Sequence, residues 1–555
     1  MLSQIGFPLL FLGIFFAFSF VIHESYSQPS SISNPVITDQ QTVNYQKESY
    51  YIHEFNVPNL EDKGLKGIVT DSDGNPWFYH QTIKTSTLLR FNPDNDTFSS
   101  YPIEGATITD NSIINLAGGQ LAYDEKRKSI WFTDARLNAL GSINTQNGKI
   151  EVHKIPTNNS GVMGLVLSPD GNSIWFTEII GNNIGSFDIN SKTIKEYPTG
   201  EFTGPTLLAY DSNGHLWVTM SYSSSILKVE PWSLIPGSKI SGIFEIKLEK
   251  PDSLSPFGIA IAGNNYSKLY ISDHGSSRLV VSNLSSELKN YTSYWTSPSI
   301  AYPVSLPSQV ISDKNGNVYF VEHGGNKISK ISSDDGLLTE FDIPTGPLVT
   351  VVYIAVSPDT SKIWFTEWES NRIGYLDNTL EVPLDLRIMN SLPETLRVNQ
   401  VYPLEIKVSR EDILTNTSLS LNAIQLSLNG MTESGLQELS YLLNPRSINL
   451  TNVTTINGTF DITIGKDAPA GKYTIMPRIT TFERDNLTIS LSRPQTAILD
   501  VPIEKSTIPA DGNQPNQNLT LAFLRDLTRY GSIVIAITLI AYLVYRKIYR
   551  RKFGS

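Results

Sequence analysis

The chain is 555 residues long, room for roughly two to four domains with buried cores. Charged residues make up 17% and the formal net charge is −11, so no nucleic acid is expected as a partner, because neutralising phosphates takes clustered Lys and Arg. The absence of cysteine removes disulfides, thiolate metal sites and cysteine nucleophiles together, and 10% aromatics with 37 Gly and 31 Pro suit an all-β chain rich in turns.

At the start of the chain, Ile5 to Ile22 is apolar apart from Ser19, and Ser25 and Ser27 place small residues before Gln28. Residues 1–27 read as a signal peptide or a signal anchor, and 28–43 as a linker.

From there one phrase recurs: a turn, then a strand carrying Trp or Tyr, an apolar residue and often an acid. It reads NPWFYH at Trp77, SIWFTD at Trp131, SIWFTE at Trp175, HLWVTM at Trp217, KLYISD at Tyr270, NVYFVE at Tyr319 and KIWFTE at Trp364. Spacings of 42 to 54 residues, each holding several short strands, are the period of propeller blades. An apolar strand ending in a turn precedes the phrase, as in GLVLSPDGN from Gly164. A third strand such as NNIGSFD from Asn182 and a fourth such as IKEYPTG follow it. Asp-Gly and Asn-Gly pairs supply the hairpin turns, because those residues tolerate positive φ.

The seventh unit lacks a fourth strand, and YIHEFNVP from Tyr51 matches one. Residues 44–384 are therefore predicted to form a seven-bladed β-propeller, with the strand at 50–57 completing the last blade and leaving no open sheet edge. From 385 to 503, short alternating strands such as YPLEIKVSR and GTFDITIG predict a β-sandwich. KDAPAGKYTI, from Lys466, resembles a turn and strand of immunoglobulin-like surface domains.

Residues 504–528 form a polar stalk. Tyr530 to Tyr545 is apolar and uncharged, which predicts a transmembrane helix at 529–546 and a basic tail at 547–555. Arg546, Lys547, Arg550, Arg551 and Lys552 follow the helix, and only Arg525 and Arg529 lie just before it. The tail is accordingly cytoplasmic and the body an ectodomain of the cell membrane, single-pass after signal cleavage. Sequons cluster at Asn449, Asn452 and Asn457, the glycosylation candidates.

The residue three after each Trp or Tyr falls at the end of the second strand. Around the ring these are His80, Asp134, Glu178, Met220, Asp273, Glu322 and Glu367. Two readings stand side by side. If the acids converge at a channel mouth, Glu322, Glu367, Glu178 and Asp273 are candidate ligands for Mg²⁺ or Ca²⁺, with His323 or His274 as catalytic base. If each acid caps the turn that follows it, the repeat is structural. Of the seven histidines only His80, His274 and His323 fall near that mouth, His323 being preferred because Glu322 adjoins it.

WFTEIIGNNIG from Trp175 and WFTEWESNRIG from Trp364 resemble the repeats of the streptogramin B (virginiamycin B) lyase family. The resemblance spans residues 44–384. It implies a seven-bladed propeller and a Mg²⁺-dependent elimination that opens a cyclic depsipeptide at its ester. The family's activity relies on glutamates that hold the metal and on histidines, one of them in a Pro-His-Gly phrase opening a first strand. Here SPFGIAI from Ser255 keeps the proline and glycine but has Phe257 in the place of the histidine, and phenylalanine cannot accept a proton. The equivalent positions of the other blades, Lys66, Gly119, Met163, Thr206, Ser308 and Val352, hold no histidine either.

The expected function is thus a membrane-anchored extracellular propeller binding a ligand, glycan or surface protein. The alternative is a metal-dependent C–O lyase or lactonase-like hydrolase with a relocated base.

Overall fold

A computed structural model describes residues 47–499, apart from 61, 83, 106–117, 241–244, 248–254, 264–265, 285–290, 298, 300–303, 347–348, 411–424, 433–439, 445–454 and 465–470. The N-terminal apolar segment, the stalk, the predicted membrane helix and the basic tail lie outside the described residues, as do Asn449 and Asn452. Asn457 is exposed on the strand Thr455–Thr463. Among the described residues no helix is long and apolar enough to cross a membrane. Regular structure there is β, apart from single 3-10 turns such as Pro231–Ser233.

Seven antiparallel blades follow one another along the chain. Their inner strands are Leu65–Thr70, Leu121–Asp124, Val162–Leu167, Pro205–Tyr210, Pro256–Ala262, Pro307–Ser312 and Val351–Val356. Each inner strand touches the next and the last touches the first, so the array is a closed ring. Blade seven takes its fourth strand from the other end of the propeller sequence: Ile52–Asn56 pairs antiparallel with Arg372–Asp377, Ile52 opposite Leu376 and Asn56 opposite Arg372. The same strand reaches blade one, where the rings of Phe55 and Phe91 stand 4.7 Å apart.

Local chemistry explains the repeated phrase. The Trp side chains fill the space between blades, Trp77 and Trp364 being fully buried. The indole N–H groups of Trp77 and Trp217 donate to Asp71 and Asp211, both at 2.9 Å. Those aspartates also accept the backbone N–H groups of Asn75 and His215, so one carboxylate closes the first hairpin and satisfies the buried indole. The glycine of the third strand is a packing requirement. A Cβ on Gly141, Gly185 or Gly374 would lie 2.1, 2.1 or 2.5 Å from the rings of Phe132, Phe176 and Phe365.

Beyond the ring, one sheet holds Leu384–Ile388, Val401–Arg410, Thr455–Thr463 and Ser440–Asn444. A second is built around the long strand Gly471–Phe482, and Leu386, Phe460, Ile475 and Leu491 from the two sheets share one apolar core. The sandwich joins the ring directly: the outer strand of blade six, Leu338–Asp342, pairs with Thr488–Ser492, Leu338 opposite Ser492 and Phe341 opposite Ile489. A single nine-stranded sheet therefore runs from the channel wall into the sandwich. The physical reason is the exposed edge that the outer strand of a blade otherwise presents, here covered by another part of the chain.

A buried ion pair locks this seam. The Arg478 guanidinium lies 3.1 Å from Glu340, both side chains nearly inaccessible, and donates to the carbonyl of Trp295 at 2.9 Å. Removing one partner of a buried pair leaves an uncompensated charge. Arg478→Met is expected to cost about 3–5 kcal/mol, read as a lower urea midpoint, and the double variant Arg478→Met/Glu340→Gln to recover most of it. Equal losses in both variants would contradict this account.

Candidate functional site at the channel mouth

Six inner strands break register with their neighbours at the same place: between Leu65 and Ile68, Val162 and Leu165, Pro205 and Leu208, Pro256 and Ile259, Pro307 and Val310, and Val351 and Ile354. An irregularity of this kind re-aims the side chains within it. The residues so placed include Lys66, Met163, Thr206, Phe257, Ser308 and Val352, at the end of the blade where the second strand finishes.

A hydroxyl two residues after the Trp or Tyr holds five of these six breaks and joins the blades. Thr133 donates to the Met163 carbonyl at 2.8 Å, Thr219 to Phe257 at 2.7 Å, Ser272 to Ser308 at 2.5 Å and Thr366 to Lys66 at 2.5 Å; Thr177 donates to Thr206 in the same way. Three of these hydroxyls also accept an inner-strand N–H of their own blade, from Gly164, Leu207 and Gly258. Sequence reading singled out the acid that follows these hydroxyls and missed the hydroxyls themselves. The signal was the repeated Thr or Ser between apolar residue and acid.

The predicted site acids are all fully buried, and the structure does not bring them together. Asp134 accepts the Leu137 N–H and the Tyr79 hydroxyl, both at 2.8 Å. Asp273 accepts the Ser255 N–H at 2.9 Å, the Ser276 hydroxyl at 2.9 Å and the Arg278 guanidinium at 3.1 Å. Met220 carries no charge, and His80 meets the Asp62 carbonyl at 3.0 Å.

The three glutamates follow another plan. Each belongs to a blade whose fourth strand carries a second glutamate, directly opposite the small residue of the third strand: Glu196 opposite Gly185, Glu340 opposite Ser329, and Glu54 opposite Gly374. The second glutamate binds the linker arriving from the preceding blade. Glu196 accepts the Thr157 N–H at 2.9 Å, Glu340 the Ser297 N–H at 2.8 Å and Glu54 the Thr345 N–H at 3.1 Å. The first glutamate lies beneath, bonded to Asn183 (Glu178, 2.9 Å), to Ser329 (Glu322, 2.5 Å) or to Ser370 (Glu367), with one carboxyl oxygen that has no hydrogen-bond partner. Burial, and after it the neighbouring Glu196, pushes Glu178 up to about 8, although Asn183 opposes the shift. Burial raises Glu322 and Glu367 as well, with Glu340 and Glu54 adding to it. The pairs were legible as the Glu-aromatic step of IKEYP, LTEFD and IHEFN.

These residues do not fit one Mg²⁺ or Ca²⁺ site. Glu178, Asp273, Glu322 and Glu367 belong to four different blades, and among the described residues no group of three or more His, Asp or Glu stands close enough to share a cation. Positive charge is already supplied locally, by Arg478 at Glu340 and by Arg372 at 3.5 Å from Glu54.

The histidines divide. His274 and His323 stack with ring centres 5.5 Å apart, and the His274 ring lies 5.3 Å from that of Phe257. His274 Nδ1 is 3.3 Å from both the Ser308 hydroxyl and the Pro307 carbonyl. Burial lowers both histidines, His323 to about 3, keeping them neutral. His80 sits in blade one, where Lys66 donates to Gln81 at 3.0 Å and lies 5.3 Å above the Trp368 ring. Burial lowers that lysine to about 7.

A family model described as the virginiamycin B lyase family matches residues 47–277, from the closing strand into blade five. Among solved structures, a streptogramin B lyase is 22% identical, with 59% of this chain and 97% of that one covered and a TM-score of 0.49. Virginiamycin B lyase from Staphylococcus aureus is 24% identical over 59% of this chain and 98% of its own, TM-score 0.48. A catalytically inactive form of that enzyme with quinupristin gives the same figures. Comparison with curated proteins finds no match. The chain is thus a β-propeller protein similar to that family over the first blades.

The buried groups give stability a pH optimum. Glu178 stabilises the fold fully below its ordinary value of 4.5 and loses that contribution as pH rises through about 8. His323 acts in the opposite sense: its contribution is complete above 6.5 and falls away as pH drops toward about 3. Glu178→Gln is expected to flatten the alkaline limb of urea midpoint against pH, and His323→Gln the acid limb. Identical profiles for both variants and the parent chain would rule the assignment out.

Proposed function

We propose that the chain is a membrane-anchored extracellular binding protein whose propeller takes a surface ligand, glycan or protein at the channel mouth. In this reading an immunoglobulin-like sandwich and a C-terminal transmembrane helix carry the propeller, and the body lies outside the cell. The supporting observation is Phe257: it occupies the bulged inner-strand position of blade five, packs on His274, and has no proton-accepting atom. The glutamates that would hold a metal in the lyase reading each serve their own blade.

The stacked His274 and His323 beside the Ser308 hydroxyl favour a second reading, a lyase or lactonase-like hydrolase with a relocated base. A neutral imidazole is the form that accepts a proton.

The two readings separate in one assay. The purified full-length chain, incubated with a cyclic depsipeptide and Mg²⁺, is expected to open the ester no faster than buffer. Its thermal midpoint is expected to be unchanged by Mg²⁺, Ca²⁺ or EDTA. Ring opening that disappears in His323→Ala or His274→Ala would overturn the binding reading in favour of the enzyme.

A further inference from the structure

At the end of the blades opposite the mouth, a groove of about 300 Å³ runs between blades two and three, the size of a small-ligand cleft. Trp131 and Phe187 stand 5.5 Å apart beneath it, both buried, and the half-exposed His153 ring, 4.5 Å from Phe187, is the aromatic face that the groove offers. Asn144, Asn147 and Ser142 bring amides and a hydroxyl to the walls.

The rim is cationic in a chain whose net charge is −11. Arg127, Lys149 and Lys192 line it with one acid, Glu151, and Asp124 pairs with Arg127 from beside it. Glu151 holds Lys149 at 2.9 Å and Lys192 at 2.7 Å, so both ammonium groups are gathered over the groove while their side chains stay 70% and 56% exposed. The two lysines draw the Glu151 carboxyl down to about 2. Arg127 is fixed by Asp124 at 2.9 Å and by the Gly171 carbonyl of the adjoining blade at 2.7 Å.

We propose that this groove binds an acidic pyranose, a uronic-acid unit of an extracellular polysaccharide. The apolar face of a sugar ring suits the half-exposed His153 ring, its hydroxyls suit amide and hydroxyl walls, and its carboxylate suits paired ammonium groups. A polyanion without a sugar ring would use the lysines and leave the His153 ring idle. The site is separate from the channel mouth and stands whether or not the mouth binds a ligand.

Calorimetric titration of the purified full-length chain tests it, with an oligogalacturonate, a neutral galactose oligomer and a polyphosphate as probes. Saturable binding of the uronate is expected, with the neutral oligomer and the polyphosphate each at least about tenfold weaker. Lys149→Gln/Lys192→Gln is expected to weaken uronate binding about tenfold with an unchanged urea midpoint, because both side chains are exposed. His153→Ala is expected to weaken uronate and neutral oligomer alike. No saturable uronate binding, equal binding of the neutral oligomer or polyphosphate, or indifference to the double lysine variant would each overturn the proposal.

Discussion

The ring stands on hydroxyl-to-carbonyl bonds that cross from the second strand of one blade to the inner strand of the next. Thr133, Thr177, Thr219, Ser272 and Thr366 make this bond at five junctions. At the other two the equivalent residues are Tyr79, whose hydroxyl turns to Asp134, and Val321, which has none. Each bond contributes only about 1 kcal/mol net, but a hydroxyl or carbonyl left bare in this dry interior would cost more. Because the bonded carbonyls belong to Met163, Thr206, Phe257, Ser308 and Lys66, the same belt decides which side chains stand at the mouth. Architecture and candidate site are set by one interaction.

A second layer of the same logic lies outside the belt. In blades three, six and seven a glutamate on the fourth strand ties down the linker from the preceding blade, above a buried glutamate on the second strand. Burial and the neighbouring carboxyl both disfavour ionisation of the second-strand glutamate and raise its pKa. A raised carboxyl pKa often marks catalysis. Its recurrence in three blades, each time with a partner in the same blade, ties it here to blade assembly.

The fusion of blade six to the sandwich changes what the second region can do. A spacer on a linker moves independently, whereas a sheet continuous through Phe341 opposite Ile489 transmits position. The residues before the closing strand are drawn into the same joint: Ser49 donates to Glu483 at 2.7 Å, and the Tyr50 N–H does so at 2.8 Å. Ring closure and sandwich docking therefore share a segment, and a disturbance of one reaches the other.

The blade repeat was legible in the sequence because strands, hairpin turns and the Trp positions are written in neighbouring residues, and even the borrowed strand kept the fourth-strand pattern in YIHEFNVP. The sandwich strands were legible by alternation. The mouth was only half legible: the position of Phe257 and the adjacency of His274 to Asp273 could be read, but not the stacking of His274 on His323 from another blade. The expected metal set failed for the same reason. Spacing along the chain puts Glu178, Asp273, Glu322 and Glu367 at equivalent positions, yet equivalence in a ring places them one per blade, apart from one another. What the sequence by itself determined is the local order of strands, turns and aromatic fillers, since these depend on contacts a few residues apart. Which carboxyls share a blade, which rings meet across blades and where the sandwich sheet attaches depend on pairings hundreds of residues distant, and only the folded chain decides those.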